Sequence, residues 1–387
     1  MSEIITYRLD EIADVIDCEH KTAPKVDSSD YYSIRTPDIK NGRLLYEQAN
    51  RVSAETYELW TKRGIPEAGD IILAREAPVG EVGWIDKDHK ICLGQRTVLI
   101  KIHSIEIDKK YLLYSFVSPK FKDYLNELSG GSVVAHLNMK DIRALEFSFP
   151  PLPEQKAIAS VLSSLDDKID LLHRQNKTLE AMAETLFRQW FIEDTAGKTE
   201  LITLGEMIEI HDSKRIPLSK LERDKKKNGS IMYPYYGAAK VMDYVDDYIF
   251  DGDYLLLGED GTVQDENGYP ILQRANGKFW VNNHAHVLSA KAPYNNFFLW
   301  CLLSKTNIEK AVTGAVQPKI NQENLRKLDF VKFDESKVLD FNDITSSMLN
   351  KLNTNNSQIQ TLENLRDTLL PKLMSGEVRV QYQTEEV

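Results

Sequence analysis

The chain repeats itself. Ala68-Gly69-Asp70-Ile71-Ile72-Leu73 reads against Asp251-Gly252-Asp253-Tyr254-Leu255-Leu256 at an offset of 183 residues. The same offset carries His136-Leu137-Asn138-Met139-Lys140-Asp141-Ile142-Arg143 onto Lys319-Ile320-Asn321-Gln322-Glu323-Asn324-Leu325-Arg326, and Thr178-Leu179-Glu180 onto Thr361-Leu362-Glu363. Near the start the offset is 195, where Leu9-Asp10-Glu11 meets Leu204-Gly205-Glu206, so the first half holds extra residues early on. A duplicated chain folds as two similar units, and each half shows the same order of parts. Short β-type runs (70–74 and 97–102; 254–257 and 286–289) are separated by Gly, Pro and Asp turns. An aromatic helical stretch follows (111–117; 297–303), and then a long helix.

The long helices carry heptad stripes. In the first, Pro150-Pro151-Leu152-Pro153 stops the chain and Glu154 opens a helix to about Ile192. Its apolar seam is Ile158, Leu162, Leu165, Ile169, Leu172, Asn176, Leu179, Ala183, Leu186 and Trp190, in alternating steps of four and three. The second keeps the pattern through Met348, Leu352, Asn355, Ile359, Leu362, Arg366, Leu369 and Leu373, and is the more polar. Such seams demand a partner helix, and the first helix supplies one for the second. Asn176 and Asn355 meet only if the two run antiparallel about position 174, and a buried Asn pair fixes register and orientation. The same register sets Leu172 opposite Ile359 and Trp190 near Phe341. The expected fold is therefore α+β: two similar mixed α/β domains separated by two long helices in an antiparallel coiled coil, with a pseudo-two-fold internal repeat. The parts are a first domain at 1–150, a central helix at 151–193, a linker at 194–200, a second domain at 201–334, a distal helix at 335–376 and a frayed acidic tail at 377–387.

Composition excludes more than it reveals. At 387 residues, 42% hydrophobic and 28% charged, the chain can bury real cores. It has no apolar run long enough for a membrane span and no signal sequence, which places it in the cytoplasm. Cys18, Cys92 and Cys301 form no CxxC pair and read as reduced thiols. The net charge of −11 opposes a nucleic-acid partner globally, but binding depends on the local field. Residues 214–227 are locally basic (Lys214, Arg215, Lys220, Arg223, Lys225, Lys226 and Lys227), although a charge run is more often a solvated face.

No catalytic signature is found. There is no Asn-Pro-Pro-type motif, no GxGxxG and no complete phosphate loop. Glu154-Gln155-Lys156 has a nuclease-like ExK form without an acidic residue suitably placed before it. His284 and His286 share one face of an expected strand without a third ligand, so DNA or core contacts are favoured over metal. No cofactor or metal is expected on this chain.

Specific segments resemble the specificity subunit of type I restriction–modification systems. Pro150-Pro151-Leu152-Pro153-Glu154-Gln155-Lys156 leading into Leu165-Asp166-Asp167-Lys168-Ile169 is similar to that family's central helix. Arg75-Glu76-Ala77-Pro78-Val79-Gly80 and Gly94-Gln95-Arg96 resemble its first recognition domain. Tyr233-Pro234-Tyr235-Tyr236-Gly237 and Trp280 through His286 resemble its second, and Leu369 through Gly376 its distal helix. Arg366 in the second seam departs from tight apolar packing. The resemblance implies a non-catalytic subunit with two target-recognition domains that read a bipartite site in double-stranded DNA. It also implies partners: two methyltransferase subunits and one or two restriction-translocase subunits, with S-adenosylmethionine and ATP bound by those partners. Residue type and loop position nominate Lys21, Lys25, Arg35, Arg75, Arg96 and His136 as DNA-contacting groups of the first domain. Lys214, Arg215, Tyr235, Tyr236, Lys240, His284 and Lys319 are those of the second, with core packing the alternative for the two tyrosines. Two further readings stand beside this one. A self-contained DNA methyltransferase or nuclease would bind S-adenosylmethionine or turn over DNA unaided, and a coiled-coil scaffold would show no sequence preference.

Helix length sets the reach. About 38 residues at ~1.5 Å each make a rod of ~57 Å. Deleting one heptad from both helices removes ~10 Å, or about three base pairs. The preferred spacer between half-sites is then expected to shorten, or binding to be lost, with both half-site sequences unchanged, as read by methylation mapping.

Overall fold

The computed structural model describes residues 4–76, 78–87, 89–128, 136–193, 199–229, 231–314 and 317–381. Residues 194–198 of the expected linker, 382–387 of the expected tail and Ala77 of the motif at 75–80 lie outside them. Two compact units form, one from residues 1–171 with 360–387, the other from 172–359.

Each unit opens and closes with one small sheet. Ile5–Arg8 pairs antiparallel with Glu146–Phe149, and Leu201–Thr203 pairs with Asp329–Val331. The chain thus leaves each domain beside the point where it entered. The main sheets share one order. In the first unit it runs Ala13–Asp17, Thr97–Ile102, Ile71–Ala74, Val82–Trp84; in the second, Ile208–Ile210, Ala285–Ala290, Phe250–Gly258, Leu272–Val281. The central strands Ile71–Ala74 and Leu255 to Leu257 are fully buried β-branched and leucine runs, as a sheet covered on both faces requires. A parallel pair recurs as well: Tyr31–Ile34 beside Lys90–Leu93, and Tyr233–Tyr236 beside Leu272–Val281. The first unit adds the hairpin of Ile39–Lys40 and Gly42–Leu44, within the stretch where its sequence is longer. The aromatic stretches are the helices Lys109–Val117 and Asn296–Leu303, buried against these sheets.

The central helix spans Leu152–Phe187 and continues as π-helical turns over Arg188–Glu193; the distal helix spans Glu335–Ser375. Proline before and at the first turn leaves the Pro151 carbonyl to accept from the amides of Glu154 and Gln155. Gln155, 2% exposed, is a structural peg rather than part of a nuclease motif. Its amide donates to the carbonyls of Glu106 and Pro150, and its oxygen accepts from the Asp108 amide at 2.9 Å.

Within each unit the two helices pair antiparallel. In the first, Ile158, Ala159 and Leu162 share the domain core with Leu370 and Leu373. In the second, Asn355 Nδ2 donates to Asn176 Oδ1 and Asn176 Nδ2 to Asn356 Oδ1, both at 2.8 Å, while Leu172 and Ile359 are buried. One expectation shifts by a residue. Ala183, Phe187 and Phe191 enter the second core, and the rings facing Phe341 are those of Phe187 and Phe191 at 5.7 and 5.6 Å. Leu186 and Trp190 are only partly buried there. Steps of four replace the four–three alternation, first inside the α-helix from Ala183 to Phe187 and then across the π-helical turns to Phe191, where the three residues follow the domain core rather than a coiled-coil seam.

Arg366 turns out to be a partner, not a defect. Its Nη1 donates to Asp166 at 3.0 Å, and Asp166 also accepts from the Tyr114 hydroxyl at 2.8 Å. Arg43 pairs with Asp166 and Asp170. Asp166 therefore ties the distal helix and the domain to the central helix. Asp166→Ala is expected to cost about 1–2 kcal/mol of stability, because Arg366 keeps only exposed Asp367 as counter-charge and the Tyr114 hydroxyl loses its acceptor. Arg366→Leu should cost less, since it removes the charge as well. Chemical denaturation of the full-length variants measures both.

Candidate nucleic-acid interface

One end of each main sheet gathers the polar groups. Val98 lies opposite Asp17, and Thr97 opposite Ala74, so the loops after Asp17 and Ala74 and before Thr97 emerge together. In the second unit Leu257 lies opposite His286 and Gly258 opposite Ala285, which collects the loops after Ile210 and Gly258 with the one before Ala285. The segments ahead of the short helices Met139–Arg143 and Gln322–Arg326 close both clusters. The Leu137 amide donates to the Arg75 carbonyl and the Ile320 amide to the Glu259 carbonyl, each at 2.9 Å.

In the first cluster the residues fall into two kinds. Arg75 is largely buried and binds Asp17 through both carboxylate oxygens, at 3.0 and 3.1 Å, so it braces the loop. Arg96 and His136 are half exposed and both reach Glu76, at 2.7 and 3.0 Å. Arg96 itself sits at φ +70°, a left-handed backbone that a side chain adopts only where its surroundings impose it. The Arg75 amide donates to its carbonyl, and Thr97 Oγ1 donates to the Gly94 carbonyl. Gly94 cannot be replaced, because a Cβ there would lie 2.5 Å from the Ile34 carbonyl oxygen. Lys21 is exposed beside this group, since its neighbour Thr22 donates to Gln95 Oε1. Lys25 is exposed farther along, next to Val26, whose amide is tied to the Arg51 carbonyl. Arg35 forks onto buried Asp38 at 2.9 and 3.0 Å and pins the turn after Ile34.

The second cluster is more deeply built. His286, 1% exposed, donates from Nε2 to the Ile320 carbonyl at 2.9 Å and holds Asp212 at 2.6 Å through Nδ1. Asp212 also accepts from the Val287 amide and from Gln322. Arg215 spans Asp212 and Glu259, and Lys319 reaches Glu259 at 3.2 Å. Burial works against ionisation of Asp212, but the His286 side chain, the Val287 amide and Arg215 outweigh it and hold its carboxyl below the ordinary value. Glu259 is lowered likewise, burial being overcome by Arg215, His286 and Lys319. Asp212, Glu259 and His286 offer the donor types of a metal site. Arg215 and Lys319 already neutralise its carboxylates, so the set is an ion-pair network. His284 is not paired with His286: it lies in the preceding turn, half exposed, on Asp260 at 2.7 Å. Lys214 and Lys240 are exposed, the latter in the turn closed by the Gly237 amide.

Tyr235 is a correction to the DNA-contact expectation. It is 1% exposed, and its hydroxyl accepts from the Leu218 amide at 2.9 Å, so it belongs to the core. Tyr236 is partly buried and edge-on to Phe279. The basic run is answered by acids: Arg223 and Lys227 pair with Asp243, and Lys226 with Asp247. Residue-type reasoning passed over Glu76, Glu259 and Asp212. The offset of 183, which maps Glu76 onto Glu259, was the available signal.

Two similar domains, each presenting a polar loop cluster, together with antiparallel helices, define a duplicated recognition protein. The sequence model of the type I restriction modification DNA specificity domain matches residues 1–181 and 197–331, and the chain belongs to that family. It is a specificity subunit, not an enzyme in its own right. It is 24% identical to the specificity subunit of the type I restriction enzyme MjaIX of Methanocaldococcus jannaschii, over 96% of this chain and 93% of that one. A putative type I specificity subunit of Haemophilus influenzae, S.HindORF215P, is 36% identical over 34% of this chain and 32% of its own. The crystal structure of a type I restriction–modification S subunit from M. genitalium shares the fold, with a TM-score of 0.58 and 18% identity over 99% of this chain and 97% of that one. Among the described residues no helix is long and apolar enough to cross a membrane.

The depressed carboxyls give a pH test. Their contribution is complete above the unfolded values of about 4 and is lost as pH falls through the lower folded ones. Asp212→Asn is expected to destabilise the full-length chain at pH 7 by about 3 kcal/mol. The gap from wild type should close as the pH is taken below about 4. A gap that stays constant down to pH 3, followed by thermal melting, would rule out this network as its source.

Proposed function

We propose that the chain reads a bipartite target in double-stranded DNA, one half-site per domain, and carries partner subunits that do the chemistry. The observation that carries this reading is the recurrence of the same loop cluster at the same end of the same sheet in both domains. Each cluster presents half-exposed basic side chains on a braced frame: Arg96 and His136 in the first, His284 and Lys319 in the second. Lys21, Lys214 and Lys240 flank them as phosphate contacts, because exposed lysines position a protein on DNA without reading sequence. Lys25 lies at the margin. Arg35, Arg75 and Arg215 are framing residues, since buried or half-buried carboxylates already engage their guanidinium groups. Base reading then falls to the half-exposed groups and the loop backbone.

The partners are two methyltransferase subunits and restriction-translocase subunits, and the complex works in the cytoplasm, where DNA is. S-adenosylmethionine and ATP bind to those partners, and the target adenines flip into the methyltransferases. The name of the family's domain and the names of the relatives support this reading.

Domain exchange tests it. Replacing residues 1–150 with the equivalent domain of a relative, in cells that also express the methyltransferase, is expected to change one half of the methylated sequence and leave the other intact. Simultaneous change in both halves would refute one half-site per domain.

A further inference from the structure

The two clusters share one pair that the repeat reproduces residue for residue. Glu76 holds His136, and Glu259 holds Lys319; both members of the second pair lie 183 positions after those of the first. The carboxylates are the more buried partners, with side-chain exposures of 22% and 13%, against 41% and 53% for the cations. Each carboxylate also binds an arginine, Arg96 from the turn before Thr97 in the first domain and Arg215 from the loop after Ile210 in the second. The frame around the pair is duplicated too. Asn138 and Asn321 cap the following helices by accepting from the amides of Asp141 and Asn324, again 183 apart. The pairing is therefore a property of the duplicated architecture, while the partner of the carboxylate changes from His to Lys.

We propose that Glu76 and Glu259 are specificity-determining residues that act as built-in competitors of the DNA phosphates. Each holds its basic partners in fixed positions and neutralises Arg96 or Lys319 while no DNA is bound. This rests on the DNA-reading role proposed above. A cation paired with a fixed carboxylate gains little from a passing phosphate, so contact with unrelated DNA is weak. At the target, base contacts in the groove add to the phosphate contact and the exchange becomes favourable. Arg96, His136 and Lys319 are exposed enough to turn outward, Arg215 stays as the buried brace of Glu259, and the carboxylates are too buried to follow.

Glu76→Gln in the full-length chain is the direct test, because glutamine keeps an acceptor for Arg96 and His136 but removes the charge. Binding to a duplex of unrelated sequence, followed by fluorescence anisotropy across a salt series, is expected to tighten roughly three- to five-fold. The log–log salt slope should steepen by about one unit as one more phosphate contact forms. Glu259→Gln should act the same way through Lys319, and Glu76→Asp, which retains the charge, should stay near wild type. Unchanged affinity and slope in Glu76→Gln, with only a lower melting temperature, would show a purely structural pin and overturn the proposal. So would binding of unrelated DNA by neither wild type nor variants at the lowest salt. Arg96→Ala and Lys319→Ala separate this from the underlying reading. If, on the duplex carrying the methylation-mapped target, they leave affinity and salt slope unchanged, these loops do not face DNA; if they weaken target binding and flatten its slope while Glu76→Gln leaves binding of unrelated DNA unchanged, only the competitor role fails.

Discussion

Closure of each domain on itself governs the rest of the structure. Pairing of Ile5–Arg8 with Glu146–Phe149, and of Leu201–Thr203 with Asp329–Val331, brings the first and last strands of each domain side by side. A domain closed in this way can hand its chain directly to a long helix. The helix, starting beside the domain's own core, buries its first turns there: Ile158, Ala159 and Leu162 in one unit, Val338 and Phe341 in the other. The other long helix in each unit adds its terminal turns to the same core, through Leu370 and Leu373 or through Ala183, Phe187 and Phe191. Helix pairing is thus anchored in domain packing, which answers the weakness of the distal seam.

Polar layers then set the pairing. A layer of leucines tolerates slippage by a heptad; a layer of Asn176 with Asn355 and Asn356 does not, because a shifted register leaves the buried Asn355 amide without its partner. Asp166 with Arg366 does the same in the first unit by charge, and Tyr114 extends the constraint into the domain. Apolar seams supply most of the attraction, and these polar layers restrict it to one alignment.

The duplicated fold and the helix pairing were legible in the sequence because both write periodic patterns. An offset of 183 and a four–three alternation survive divergence at individual positions. The candidate reading groups were less legible. Whether an arginine contacts DNA depends on the acid opposite it, and Asp38 for Arg35 or Asp17 for Arg75 is a matter of tertiary contact that no local pattern records. Within the basic run at 214–227, Arg223, Lys226 and Lys227 are met by Asp243 and Asp247 from the neighbouring strand and loop, which the run itself does not record. Tyr235 was ambiguous in principle: a strand in a buried sheet alternates its faces, and type alone does not say which face is inward. The shift from Trp190 to Phe191 begins with Phe187 replacing Leu186, because this end of the helix packs on the domain core and heptad counting assumes a helix partner throughout.

The comparison of the halves also separates what the architecture requires from what it leaves free. Asp17 and Asp212 brace the same loop, one through Arg75 and the other through Arg215 and His286, so the carboxylate position is common and the cation that answers it comes from different elements. Glu76 and Glu259 behave alike, with Arg96 and His136 on one side and Arg215 and Lys319 on the other. A fold that keeps acids as its fixed points can exchange cations around them without rebuilding the sheet beneath, since each new cation finds a counter-charge already in place. The net charge of −11 belongs to this arrangement rather than contradicting it. Under the proposed DNA-reading role, an acidic frame weakens non-selective attraction to phosphates and leaves binding to the few basic groups presented outward.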